Sequence, residues 1–306
     1  GHKAFQLFGS TAGGDNSSFN VAIGEFAMAG GHSTASNNTG NKNIAIGNAT
    51  LGGGTSSSTA ITAHSNVAIG YESMKVATSA NNNVFIGRSS GDVVTTSTNS
   101  VGVGSNSLGA LNTGTQNVAL GSSALLKNST ASNNVAIGYN ACLEITTGDK
   151  NVAIGSFAMS MNHDGNPRES KESVFVGYNS GGGSWANNQS HYNTAVGAWT
   201  MDGAMDGALY NTAVGYKALT SVTTSDENVA IGAESMQLAT TGNKNVAIGY
   251  QAMRYNLTGA HNTAIGHEAM EGASDNSHSH NTSIGVASLK SIETGASNIA
   301  VGNYAS

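Results

Sequence analysis

Asn245-Val246-Ala247-Ile248-Gly249-Tyr250-Gln251-Ala252-Met253 decides how this chain folds, because the chain is built from copies of it. Seventeen residues earlier, Asn228 to Met236 reads Asn-Val-Ala-Ile-Gly-Ala-Glu-Ser-Met. Seventeen later, Asn262 to Met270 reads Asn-Thr-Ala-Ile-Gly-His-Glu-Ala-Met. The fixed glycine recurs at Gly24, Gly47, Gly70, Gly87, Gly104, Gly121, Gly138, Gly155, Gly177, Gly197, Gly215, Gly232, Gly249, Gly266, Gly285 and Gly302, and a degenerate first copy is expected to end at Gly9. Self-similarity at this period marks a solenoid, in which one copy is one coil that cannot bury its apolar face alone.

Counting the asparagine as position one, position two is Val, Ile or Thr and position four is Ile, Val or Leu. Position three is usually Ala, and position five is Gly. β-Branched residues favour strand, and strand side chains alternate between faces. Positions two and four therefore share a face, and position three takes the other. Because position four is never polar, the expectation is that positions two and four form the coil's own core. Position three would then face a second copy of the chain, since a strand apolar on both faces is covered on both sides. The glycine allows a sharp corner at positive φ. Ala or Ser and then Met or Leu follow it and are read as a second short apolar strand. Met28, Met74, Met159, Met201, Met236, Met253 and Met270 share that slot and read as core filler. A second glycine corner is expected where Thr-Gly precedes the motif, as at Gly242 and Gly259. Asparagine at one corner of every coil predicts a hydrogen-bonded ladder that also caps backbone groups.

Composition agrees with a solenoid. The chain has 306 residues with 41 Gly, one Pro, 10% charged residues and a formal charge of −6. It offers no basic stripe for nucleic acid and no apolar run of about 20 residues to span a bilayer. Weak helix formers dominate the repeat, and no 3.6-residue stripe appears. The single cysteine, Cys142, stands in the Met/Leu slot and reads as a small buried hydrophobe. The reading is one all-β, parallel β-solenoid domain over residues 1–306, with insertions around 28–43, 51–66, 160–173 and 181–193. At one ~4.8 Å step per coil, about seventeen coils make a rod on the order of 80 Å long.

Repeated Asn-Val-Ala-Ile-Gly-x-x-Ala resembles the head repeats of trimeric autotransporter adhesins, and more closely the Asn-Thr-Ala-Ile-Gly-Tyr-x-Ala-Leu arrays of tail-fibre proteins from phages and bacteria. The resemblance implies a left-handed parallel β-roll, a homotrimer, and an extracellular fibre on a virion or bacterial surface that attaches to a host glycan or protein. A phage tail fibre, or receptor-binding protein, and a bacterial adhesin head both remain open. The period of 17 with insertions is longer than the compact adhesin head repeat.

The search for chemistry is nearly empty. Carboxylates show no recurrent pair, nothing resembles a nucleophile elbow, and the corner lacks the lysine of a phosphate loop. No enzymatic activity and no cofactor are expected; the alternative is a depolymerase groove between chains. Recognition is expected in the insertions between Gly155 and Gly197, which hold His163, Arg168, Trp185, His191 and Tyr192, with Trp199 on the next corner. Aromatic faces with nearby polar groups suit sugar rings. The competing reading makes Trp185 and Trp199 lids over the roll. His278 and His280 are expected on one side of an extended strand, with His261 and His280 stacked on neighbouring coils. Such imidazoles suit a transition metal, although a solvated pair is the preferred reading and no metal is assigned.

Overall fold

The computed structural model describes residues 5–6, 19–28, 39–52, 61–161, 169–185, 189–273, 277–292 and 295–306. The chain divides into two compact units, Gly1–Lys150 and Asn151–Ser306. Each is a parallel β-solenoid, and no helix occurs among the described residues. None, therefore, is long and apolar enough to cross a membrane.

In the first unit β1 (Phe5–Gln6) lies against β2 (Val21–Ile23). Parallel strands then follow as β3 (Ile44–Ile46), β4 (Val67–Ile69), β5 (Val84–Ile86), β6 (Val101–Val103), β7 (Val118–Leu120) and β8 (Val135–Ile137). The second unit continues the numbering with β9 (Val152–Ile154), β10 (Val174–Val176), β11 (Thr194–Val196), β12 (Thr212–Val214) and β13 (Val229–Ile231). It ends with β14 (Val246–Ile248), β15 (Thr263–Ile265), β16 (Thr282–Ile284) and β17 (Ile299–Val301). Equivalent motif positions pair throughout, as Val229 with Val246, Ala230 with Ala247 and Ile231 with Ile248. Insertions leave this register intact: Val152 pairs with Val174 and Val174 with Thr194. The expected first copy is corrected, because β1 pairs antiparallel, Phe5 opposite Ile23, and is not a stacked coil. Gly9 lies outside the described residues.

The two faces of the strand are the reverse of the sequence expectation. Position three points into the coil: Ala45, Ala68, Ala230 and Ala247 are 0% exposed. Position four points out, with Ile44 at position two and Ile231 at position four 37% and 39% exposed. The lumen is narrow, and opposite position three it already holds the buried Met/Leu layer. Only a small side chain fits there, and the large β-branched residues turn outward. The two phenylalanines at position three show the constraint. Phe85 fits because a Cβ on Gly91 or on Gly102, position three of the next coil, would lie 2.7 Å from its ring. Phe175 has Gly181 beside it in the same way.

Only one strand forms per repeat. The segment after the glycine is a run of turns, with non-glycine residues at positive φ at the second and fourth places beyond it, such as Gln251 (55°) and Met253 (51°). Those left-handed residues reverse the amide direction. Gln251 N–H donates back to Ala233 O (3.0 Å), while Met253 N–H donates forward to Ala269 O (3.0 Å). Each turn is thereby bonded to both neighbouring coils. The corner glycine behaves as expected: Gly249 has φ 138°, and a Cβ on it would collide with the Gly266 carbonyl. Gly242 and Gly259 are glycine for a different reason. Their φ is not positive, but a Cβ would strike a carbonyl of the next coil.

Position-one asparagines from Asn20 to Asn281 are buried, and they form the expected ladder. Asn245 Oδ1 accepts from the Asn262 backbone N–H (3.0 Å) and from Asn262 Nδ2 (3.0 Å), while Asn245 Nδ2 donates to Gly259 O (2.8 Å). A second ladder runs two residues before the motif. There a side chain caps the preceding coil's backbone, as Asn243 Oδ1 accepts from the Asp226 N–H (2.7 Å).

Candidate functional site

The six residues expected to bind do not form one site. His163 and Arg168 lie outside the described residues. Trp185 is 2% exposed, and its ring packs 5.5 Å from that of Phe175. It fills the core against Phe175, so its place in the binding set is corrected: a ring buried there offers no face to a ligand. The lid alternative holds for Trp185 alone.

His191 belongs to the second ladder. The Lys171 backbone N–H donates to His191 Nδ1 (2.9 Å), so the ring is the tautomer with hydrogen on Nε2, which faces Gln189 Oε1 at 2.8 Å. Burial, reinforced by Lys171, holds the imidazole below its ordinary range. His64 accepts from the Asn41 N–H in the same way (3.0 Å), so this contact is a scaffold device. Tyr192, next in sequence, is exposed and lies flat on Tyr210 with centroids 4.9 Å apart and planes 6° apart.

Trp199 lies beyond the other end of β11, past the corner glycine. It is 36% exposed at φ 59° and meets the edge of Tyr178 at 5.3 Å. Tyr178 in turn meets Phe157 at 6.2 Å. These rings sit one or two residues after Gly155, Gly177 and Gly197, so successive coils contribute one ring each. Phe157, Tyr178 and Tyr210 escape a reading of the sequence that looks to the insertions for recognition, because all three lie outside them. The signal available was aromatic residues recurring one or two residues after the motif glycine, and Tyr192 and Tyr210 immediately before the motif asparagine.

Next to Tyr178 in sequence, Asn179 Nδ2 donates to Asp202 Oδ1 at 2.7 Å. Burial pushes the Asp202 carboxyl up to about 6. Gly182 keeps the space open, since a Cβ there would strike the Asn179 side-chain oxygen.

The histidine group divides. His261 and His280 stack as expected, centroids 4.9 Å apart and planes 15° apart, and both are exposed. His278 is corrected. It is 1% exposed, neither ring nitrogen has a hydrogen-bond partner, and burial lowers its pKa. His280 sits at φ 61°, which breaks strand alternation and sends the two rings to opposite sides of the coil wall. No group of three His, Cys, Asp or Glu side chains placed to hold a metal occurs among the described residues. Cys142 is fully buried as expected, and burial pushes its thiol up to about 12, far from a reactive thiolate. No protein-family profile matches the chain, and no curated protein sequence is significantly similar to it.

Proposed function

We propose that the chain is a segment of an extracellular homotrimeric fibre, left-handed and built of stacked coils, that attaches a virion or a bacterium to a cell-surface glycan or protein. The proposal assigns no reaction to the chain. One observation carries it: position four, on the outward face of the parallel strands, is apolar at every step. Ile86, Val103 and Leu120 in the first unit, and Ile154, Val196, Val214 and Ile265 in the second, are all 36–38% exposed. Parallel sheets are ordinarily covered on both faces, and a regular exposed apolar stripe marks an association surface. A stripe repeated at the coil spacing matches another copy of itself, which supports self-association over capture of an unrelated partner. The resemblance to trimeric fibre repeats supplies the number three and the handedness.

Sedimentation velocity in dilute buffer tests the assembly. A trimer is expected for the chain, and smaller species for Val246→Lys with Ile248→Lys. A wild-type chain that sediments as a folded monomer would overturn the proposal.

A further inference from the structure

A surface that binds a chain-like ligand by its flat faces needs rings at the ligand's own repeat distance, with hydrogen-bonding groups alongside. The second unit has such a row. Phe157, Tyr178 and Trp199 come from three successive coils, with centroids 6.2 and 5.3 Å apart. Tyr178 and Trp199 are 49% and 36% exposed, large values for rings within a row of contacts, and Phe157 is half-buried. Their planes are steeply inclined to one another, at 85° and 67°. In this they differ from Tyr192 and Tyr210, which lie flat and cover each other's faces.

We propose that Phe157, Tyr178 and Trp199, with the Asn179–Asp202 pair, form a binding site for a neutral linear glycan lying along the coil direction. A pyranose and its glycosidic link advance a chain by about one coil step, so consecutive sugars meet consecutive rings. The apolar C–H face of a sugar packs on an aromatic ring, and its hydroxyls need partners at the rim. Asp202 supplies them: one oxygen accepts from Asn179 at 2.7 Å. A carboxylate has acceptor capacity for further hydroxyl donors. The charge of the strip selects among ligands. Its corner positions carry Ser156, Phe157, Tyr178, Asn179, Ala198 and Trp199, with no Lys or Arg. The next cation along, Lys217, lies over the Tyr216 ring at 5.3 Å. With Asp202 as the charged group of the strip, a sulfated or phosphorylated chain is repelled.

The inference rests on the attachment reading for the source of the ligand, and sedimentation of the same samples separates its failure from a failure of assembly. The probes are linear hexasaccharides of β1,4-linked glucose, N-acetylglucosamine and mannose, with a heparin hexasaccharide as the anionic control, titrated against tryptophan fluorescence. Trp199 is the exposed reporter and Trp185 the buried one. At least one neutral hexamer is expected to give a saturable change, with weaker binding of the corresponding disaccharide. Trp199→Ala and Tyr178→Ala each lower affinity by about tenfold, Tyr178→Phe retains it, and the melting temperature of all three stays near wild type. No saturable response to any neutral hexamer, stronger binding of heparin, or undiminished binding by Trp199→Ala read by calorimetry would overturn the proposal.

Discussion

At the scale of single residues, the position-one asparagine satisfies three neighbours at once. Asn245→Ala removes the acceptor for the Asn262 backbone N–H and side chain and the donor to Gly259 O and Asn228 Oδ1. Burial leaves those groups without water, at about 1–3 kcal/mol each, so denaturant titration should show a loss of roughly 3 kcal/mol or more. Asn245→Ser should lose distinctly less. Ser100 and Ser173 occupy this position naturally, each accepting the next asparagine's backbone N–H at 3.2 Å. Asn128 is the converse case. It is fully buried, and neither side-chain amide atom has a partner. It stands in the slot that Leu111 and Ile145 fill in the coils before and after. Asn128→Leu should raise stability by about 1–2 kcal/mol. His278 gives a pH signature. Its imidazole is held below the usual range in the folded chain, so the unfolded chain binds the proton first. Stability should fall as pH drops below about 6.5 and go on falling until the folded ring titrates. In His278→Ala, which matches Ala63 and Ala80 at the same place, that acid-side loss should shrink in melts recorded across the range.

For the single coil, the reversal of strand faces changes what a substitution does. Ala247→Asp puts a carboxylate into a lumen that has no partner for it, and the coil itself should open, at a cost of several kcal/mol. Ile248→Asp puts the same charge outside, so far-UV circular dichroism should stay near wild type while the sedimentation coefficient falls. Equal loss of fold in both variants would contradict the observed faces. The strand, the glycine corner, the asparagine ladder and the Met layer were legible because each repeats with a residue type whose chemistry is local. The inside of the strand was not. Apolar size suggested Ile248 as core, yet lumen width is set by the opposing Met/Leu wall, which composition does not reveal. Positive φ at Gln251 and Met253 was hidden for a similar reason. No intrinsic preference takes methionine there, and the strain of about 1–2 kcal/mol is offset by amides bonded to both neighbouring coils. The ring row was hidden by unequal spacing. Phe157, Tyr178 and Trp199 sit at the second, first and second places after their glycines, and steps of 22 and 20 residues between those glycines mask the alignment.

On the scale of the molecule, coils within each unit bond to their sequence neighbours, so stability within each unit accumulates along the stack. Association would add to that sum by mass action. Melting temperature should therefore rise with protein concentration for the wild type, and become independent of it in Val246→Lys with Ile248→Lys. The ladder is indifferent to the number of residues between one coil and the next. The step from Gly177 to Gly197 is 20 residues, and deleting 186–188 would shorten it to the common 17. Closing a slightly shorter loop changes chain entropy by only a few tenths of a kcal/mol, so register and melting should survive the deletion. Register resides in the Asn and Gly columns and in the ladder two residues before the motif, where His191 caps Lys171. A lineage can therefore change the number of residues between one column and the next through ordinary insertions and deletions without renegotiating the scaffold. Selection on what the surface meets is thus free to run faster than selection on how the chain folds.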